Sequence, residues 1–126
     1  MVWPPHFPEA CPPDDSIEAD GDVYRLVSGE PPKKEDFLSH WIKYPKKRKQ
    51  YEALHQACEA CGLSVFRSLE DAKRISRRIQ HLPKKIAVAT LDTSMGRMKK
   101  TFSAEHYTWW VPLSVREPVL LFRNVA

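Results

Sequence analysis

Cys58 and Cys61 stand three positions apart in Cys58-Glu59-Ala60-Cys61, with His55 three residues earlier. That spacing can present two thiolates to one metal ion or support thiol–disulfide chemistry. It is only half a metal site, however, because a structural zinc takes four ligands. Both cysteines also fall on the apolar stripe of an expected helix, where a free cysteine behaves as a small hydrophobe. No metal site is therefore expected. Lys46-Lys47-Arg48-Lys49 and the face Lys73, Arg74, Arg77 and Arg78 could neutralise phosphates. Charge on the outer side of an amphipathic helix also serves solubility, and no zinc-finger, RNA-recognition-motif or KH signature accompanies it. With 4 glycines in the chain, neither a P-loop nor G-x-G-x-x-G can be written, and G-x-S-x-G and H-E-x-x-H are missing from the sequence too. What remains is a scattered polar set: Arg25, Ser64 and the run Glu105-His106-Tyr107.

These residues must be held by a chain of 126 residues with 42% hydrophobic and 10% aromatic content, enough for one core and too aromatic for disorder. The net charge of +4 permits an anionic ligand without naming one. No apolar run approaches the roughly 18 to 20 residues that cross a bilayer, and the start lacks a basic segment followed by an apolar one, so a cytosolic chain is expected. Three cysteines, an odd count, point to reduced thiols rather than a disulfide framework.

Residues 1–21, rich in proline around Asp14-Asp15-Ser16-Ile17-Glu18-Ala19-Asp20, read as an extended N-terminal arm, and residues 22–126 as a single domain. Val23–Val27 reads as a first strand, with Arg25 placed unusually on its apolar face. Lys33 to Ile42 has helical spacing of Phe37, Leu38, Trp41 and Ile42 and stops before Pro45. A second helix carries Tyr51, Leu54, Cys58 and Cys61 and closes at Gly62. Leu63–Phe66 is a short strand. Ser68 then caps a helix whose stripe Ala72, Ile75, Ile79 and Leu82 runs to Pro83. Lys85–Leu91 is apolar on both faces, as a central strand would be. Strands over Arg97–Phe102, Tyr107–Val111 and Pro118–Asn124 complete the chain. Helices early and strands late argue for an α+β fold with a mixed or antiparallel sheet.

The order Val23-Tyr24-Arg25, then Gly62-Leu63-Ser64-Val65-Phe66 with a helix after it, then an apolar strand, then His106-Tyr107-Thr108, resembles the ADP-ribosyltransferase-like cytotoxins. It is most similar to the small bacterial effector toxins of type VI secretion with that fold. The resemblance implies a split mixed or antiparallel sheet with helices packed on it, and NAD as the substrate of a transferase that modifies or depletes a vital target. It also implies action in the cytoplasm after delivery by secretion, a macromolecular or nucleotide target, a cognate immunity protein or antitoxin as partner, and no membrane role. Arg25 would clamp the pyrophosphate through its planar fork of donors. Ser64 would hydrogen-bond the ribose or fix a carboxylate, His106 would bind or orient a ribose hydroxyl, and Tyr107 would stack on nicotinamide. Glu105 would stabilise the cation-like sugar and align the acceptor. The catalytic set is then Arg25, Ser64, Glu105 and His106, and the NAD-binding set Arg25, Ser64, His106 and Tyr107.

Each residue also has a plainer role: Arg25 in an ion pair with Asp22, Glu105 or Glu117, Ser64 as a small strand residue, and Tyr107, Trp109 and Trp110 as packing aromatics. The rival function is a non-catalytic module whose basic helix face contacts RNA or an acidic protein. A third is an RNA-directed activity on the same scaffold, with Arg25 and His106 handling phosphate.

Overall fold

Alternation in Gly21–Val27 puts Val23 and Val27 on one side and Tyr24 and Leu26 on the other, and each side meets its own apolar cluster. The computed structural model describes residues 1–125. Its strands are β1 (Ile17–Glu18), β2 (Gly21–Val27), β3 (Leu63–Phe66), β4 (Lys85–Leu91), β5 (Arg97–Lys100), β6 (His106–Trp110) and β7 (Arg123–Asn124). They form one sheet in the order β1-β5-β6-β3-β2-β4-β7, and every pairing is antiparallel. The helices are α1 (His40–Lys43), α2 (Arg48–Ala53), α3 (Ala57–Ala60) and α4 (Leu69–Arg78). The architecture therefore combines helices with a seven-stranded antiparallel sheet.

The larger cluster gathers Val23, Val27, Val65, Ala87, Ala89, Met98 and Trp109 on one face of the sheet. The smaller one, Phe66, Ala72 and Ile75, seats α4 across β2 and β3 on the other. Ser68 caps α4 by accepting a hydrogen bond from the Asp71 N–H at 3.1 Å. Glu70 and Asp71 sit in its first turn and Arg77 and Arg78 in its last, both favourable to the helix dipole. Trp109 and Trp110, neighbours on β6, are both fully buried, and their indole N–H groups donate to the Met95 and Cys58 carbonyls. Gly96 has φ +117°, and a Cβ there would lie 2.1 Å from the Trp110 carbonyl oxygen, so only glycine closes this turn.

The joint between β2 and β3 is unlike the rest of the sheet. Seven register pairs tie β2 to β4 and four tie β3 to β6, but Tyr24 opposite Phe66 alone links β2 to β3.

Several sequence expectations are corrected. The helix expected over Lys33–Ile42 divides into a 3-10 turn, Lys34–Phe37, and α1. The Asp36 carboxylate accepts from Ser28, Gly29 and Lys33 and pins the turn, and Ser39 starts a new cap. The second helix breaks into α2 and α3 at His55, whose φ is +57°. Helix α4 stops at Arg78, short of Leu82, because the Lys84 ammonium binds the Ser76 and Ile79 carbonyls. Pro118–Leu121 forms a 3-10 turn rather than strand, leaving only Arg123–Asn124 in β7. The arm is partly regular, since Ile17 and Glu18 pair with Met98 and Arg97 and Ala19 is fully buried.

The reduced-thiol expectation is also overturned: Cys11 and Cys58 form a disulfide. Their Cα atoms lie 5.6 Å apart, within disulfide reach, because the arm passes over α3, a juxtaposition no local spacing encodes. Cys61 is free and buried, and burial pushes its thiol up to about 11. No helix among the described residues is long and apolar enough to cross a membrane.

Candidate functional site

Arg25 lies where β2 and β3 part. Its Nε and Nη2 donate to the Asp36 carbonyl at 3.0 and 2.8 Å, its Nη1 donates to the Ser64 carbonyl at 2.7 Å, and its guanidinium sits 5.4 Å from the centre of the Phe37 ring. The side chain thus bridges β3 to the 3-10 turn in place of missing ladder bonds. Burial pushes its pKa down to about 10, opposed by Asp36, so it stays charged at neutral pH. Three of its N–H groups are spent on main-chain oxygens. Of its five N–H groups, two are left uncommitted by these bonds.

On the other side of that carbonyl, the Ser64 hydroxyl and His106 Nε2 are 2.7 Å apart. The contact follows from the β3–β6 register, in which Ser64 faces Thr108 and Phe66 faces His106 on the α4 side of the sheet. His106 Nδ1 lies 3.2 Å from the Thr101 carbonyl and 3.0 Å from its hydroxyl, and that hydroxyl is 2.7 Å from Thr108 Oγ1. A carbonyl can only accept, so Nδ1 carries the proton and Nε2 is left to accept from Ser64. Burial lowers the His106 pKa, the Thr101 bond partly opposes this, and Arg25 and His40 lower it further. The imidazole is therefore neutral at pH 7. A hydroxyl bonded to a neutral, oriented imidazole is the arrangement that accepts a proton from an attacking O–H or holds a sugar hydroxyl.

The remaining expected residues turn elsewhere. Glu105 reaches toward α4, with its carboxylate 3.9 Å from Arg74 and 3.8 Å from Arg78, and its buried Oε2 has no hydrogen-bond partner. Tyr107 alternates to the opposite face of β6, packs against the larger cluster and lies under the Arg67 and Lys100 cations. Ser64 and His106 are brought together on the α4 side of the sheet, and Arg25, which alternation places on the opposite face with Val23 and Val27, meets them through the Ser64 carbonyl; Glu105 borders His106 by adjacency, and Tyr107 is separated from Ser64 and His106 by the sheet.

Three contributors escaped the sequence reading. Thr101 orients His106. Phe102, 70% exposed with φ +63°, sets its ring edge-on to His106 at 5.3 Å. His40, lowered by burial and then by Arg25, Lys43 and Lys47, lies within electrostatic range of His106. For Thr101 a signal existed: pairing the expected strands Arg97–Phe102 and Tyr107–Val111 as a hairpin sets it opposite His106. Comparison of this chain with protein-family models, curated proteins and solved structures returns no match.

Proposed function

We propose that the chain is a bacterial toxin with an ADP-ribosyltransferase-like fold that consumes NAD to modify or deplete a vital target in the cytoplasm, and that a cognate immunity protein or antitoxin restrains it. The observation that carries this reading is the Ser64–His106 pair at 2.7 Å, set beside the Arg25 guanidinium where two strands part. Cleavage of the nicotinamide–ribose bond needs an anion holder and a fixed donor–acceptor for the sugar, and these groups supply both. The exposed Phe102 ring is better placed than Tyr107 to stack on a planar ligand beside His106. Glu105 would act on the sugar only after leaving Arg74 and Arg78.

A second reading, RNA-directed cleavage, draws on the same neutral imidazole next to a cation. The test is NAD loss and nicotinamide release by the purified chain, together with growth after tightly induced expression. The wild type is expected to consume NAD and halt growth, and soluble, folded His106→Ala and Ser64→Ala to do neither. Growth arrest with NAD intact and RNA cut would transfer the assignment to the second reading. A harmless, folded wild type in a host without an inhibitor would end both.

A further inference from the structure

Helix α4 has a second basic edge that this site does not use. Two adjoining hollows of about 190 and 600 Å³ lie between α4 and the β4–β7 edge of the sheet; Lys73 lines both, and Arg77, one turn on, lines the larger. The hollows share Lys73, Lys84 and Ile86, so they make one groove. Leu69, Ile86 and Val125 give it apolar surface, and the Val125 N–H closes its wall by donating to the Ile86 carbonyl at 2.8 Å. Lys84 is anchored by the C-terminal carbonyls of α4, which fixes its charge at the rim. Among the described residues, Lys73, Arg77 and Lys84 have no carboxylate within ion-pair distance, and the one acid lining the groove, Glu30, is matched to Lys85 at 3.5 Å.

An uncompensated cationic rim over an apolar lining selects a ligand that carries both negative charge and apolar groups. A single strand of RNA would satisfy the cations, but its bases stack on aromatic faces and no aromatic residue lines the groove. A free phosphate would leave the apolar surface unused. We propose that the groove docks an acidic protein segment in which carboxylates alternate with apolar side chains. It is separate from the NAD reading and stands or falls without it.

The test is fluorescence anisotropy on the full chain with three labelled probes: a short peptide alternating glutamate and leucine, one alternating glutamate and serine, and an oligouridylate of equal charge. The glutamate–leucine peptide is expected to bind, with the serine version about fivefold weaker because it leaves the apolar lining uncovered. Lys73→Glu with Arg77→Glu should weaken the first peptide by about tenfold or more, while Arg74→Gln with Arg78→Gln changes it by less than about twofold. Lys73→Gln with Arg77→Gln serves if charge reversal impairs folding, read by circular dichroism. Oligouridylate binding as tight as the peptide and lost with the same pair would overturn the proposal in favour of nucleic acid. Failure of the folded wild type to bind the glutamate–leucine peptide, or binding indifferent to Lys73 and Arg77, overturns it outright.

Discussion

Helix α4 presents two basic edges, and they meet opposite fates. Arg74 and Arg78 face Glu105, which partly neutralises them beside His106, whereas among the described residues no carboxylate lies within ion-pair distance of Lys73 or Arg77, the groove's one acid, Glu30, being matched to Lys85. If the helix carried cations for solubility alone, the edges would be equivalent. The acid on one edge explains why those arginines are poor candidates for binding anything else, and its lack on the other leaves a charge imbalance for a partner to satisfy. The arginine pair belongs to the site's architecture and the lysine–arginine pair to a surface.

The sharpest separation of the two edges is catalytic. On the proposed NAD reading, His106→Ala should lower NAD consumption by about a hundredfold or more while leaving glutamate–leucine peptide binding unchanged, as anisotropy on the same preparation would read. Charge reversal at Lys73 and Arg77 should do the converse, weakening the peptide by about tenfold with NAD turnover intact. Loss of both functions in either variant would mean that the edges are one site. Arg25→Lys should cost about 2–3 kcal/mol in urea unfolding, because an ammonium cannot span the Asp36 and Ser64 carbonyls as a planar fork does, and the groove should remain functional if the variant is folded.

Acidity distinguishes the edges more gently. The His106 pKa is depressed below its ordinary 6.5, so the contribution to stability is complete above that value and is lost as pH falls through the depressed one. Stability and NAD turnover should therefore decline together on acidification from neutrality, and His106→Gln should flatten the stability profile. His6 and His40, lowered in the same direction, will leave a residual slope. Peptide binding at the groove, with no histidine in its lining, should not change over that range. The smallest effect is expected for Glu105→Gln, under about 1 kcal/mol in stability, since its arginine partners are more than half exposed and solvent screens the pairs.

The sheet was largely legible because its signals are local. Val23–Val27, Leu63–Phe66 and Lys85–Leu91 declare themselves through β-branched content and alternation, and the Ser68 cap with its apolar stripe declares α4. Helix lengths were not, because the breaks at His55 and after Phe37 come from backbone turns and a carboxylate pinned by distant donors, which periodicity does not report. At the site, strand register carries Ser64 to His106, and that much is implicit in the spacing. The separation of Tyr107 from His106 follows from alternation along a single strand and was readable in principle: neighbours on a strand cannot share a face. The turn of Glu105 toward α4 was not readable, because it depends on where the helix docks.

The bond between Cys11 and Cys58 makes a ring of the chain between them, a separation of 47 residues. The run Lys46-Lys47-Arg48-Lys49 lies inside that ring, with its lysines exposed to trypsin-like proteases. A single cut there opens the ring without dividing the molecule. The two pieces would travel together as one covalent species until a thiol reductant parts them, so damage at this helical segment is invisible wherever disulfides persist and becomes fragmentation wherever they do not.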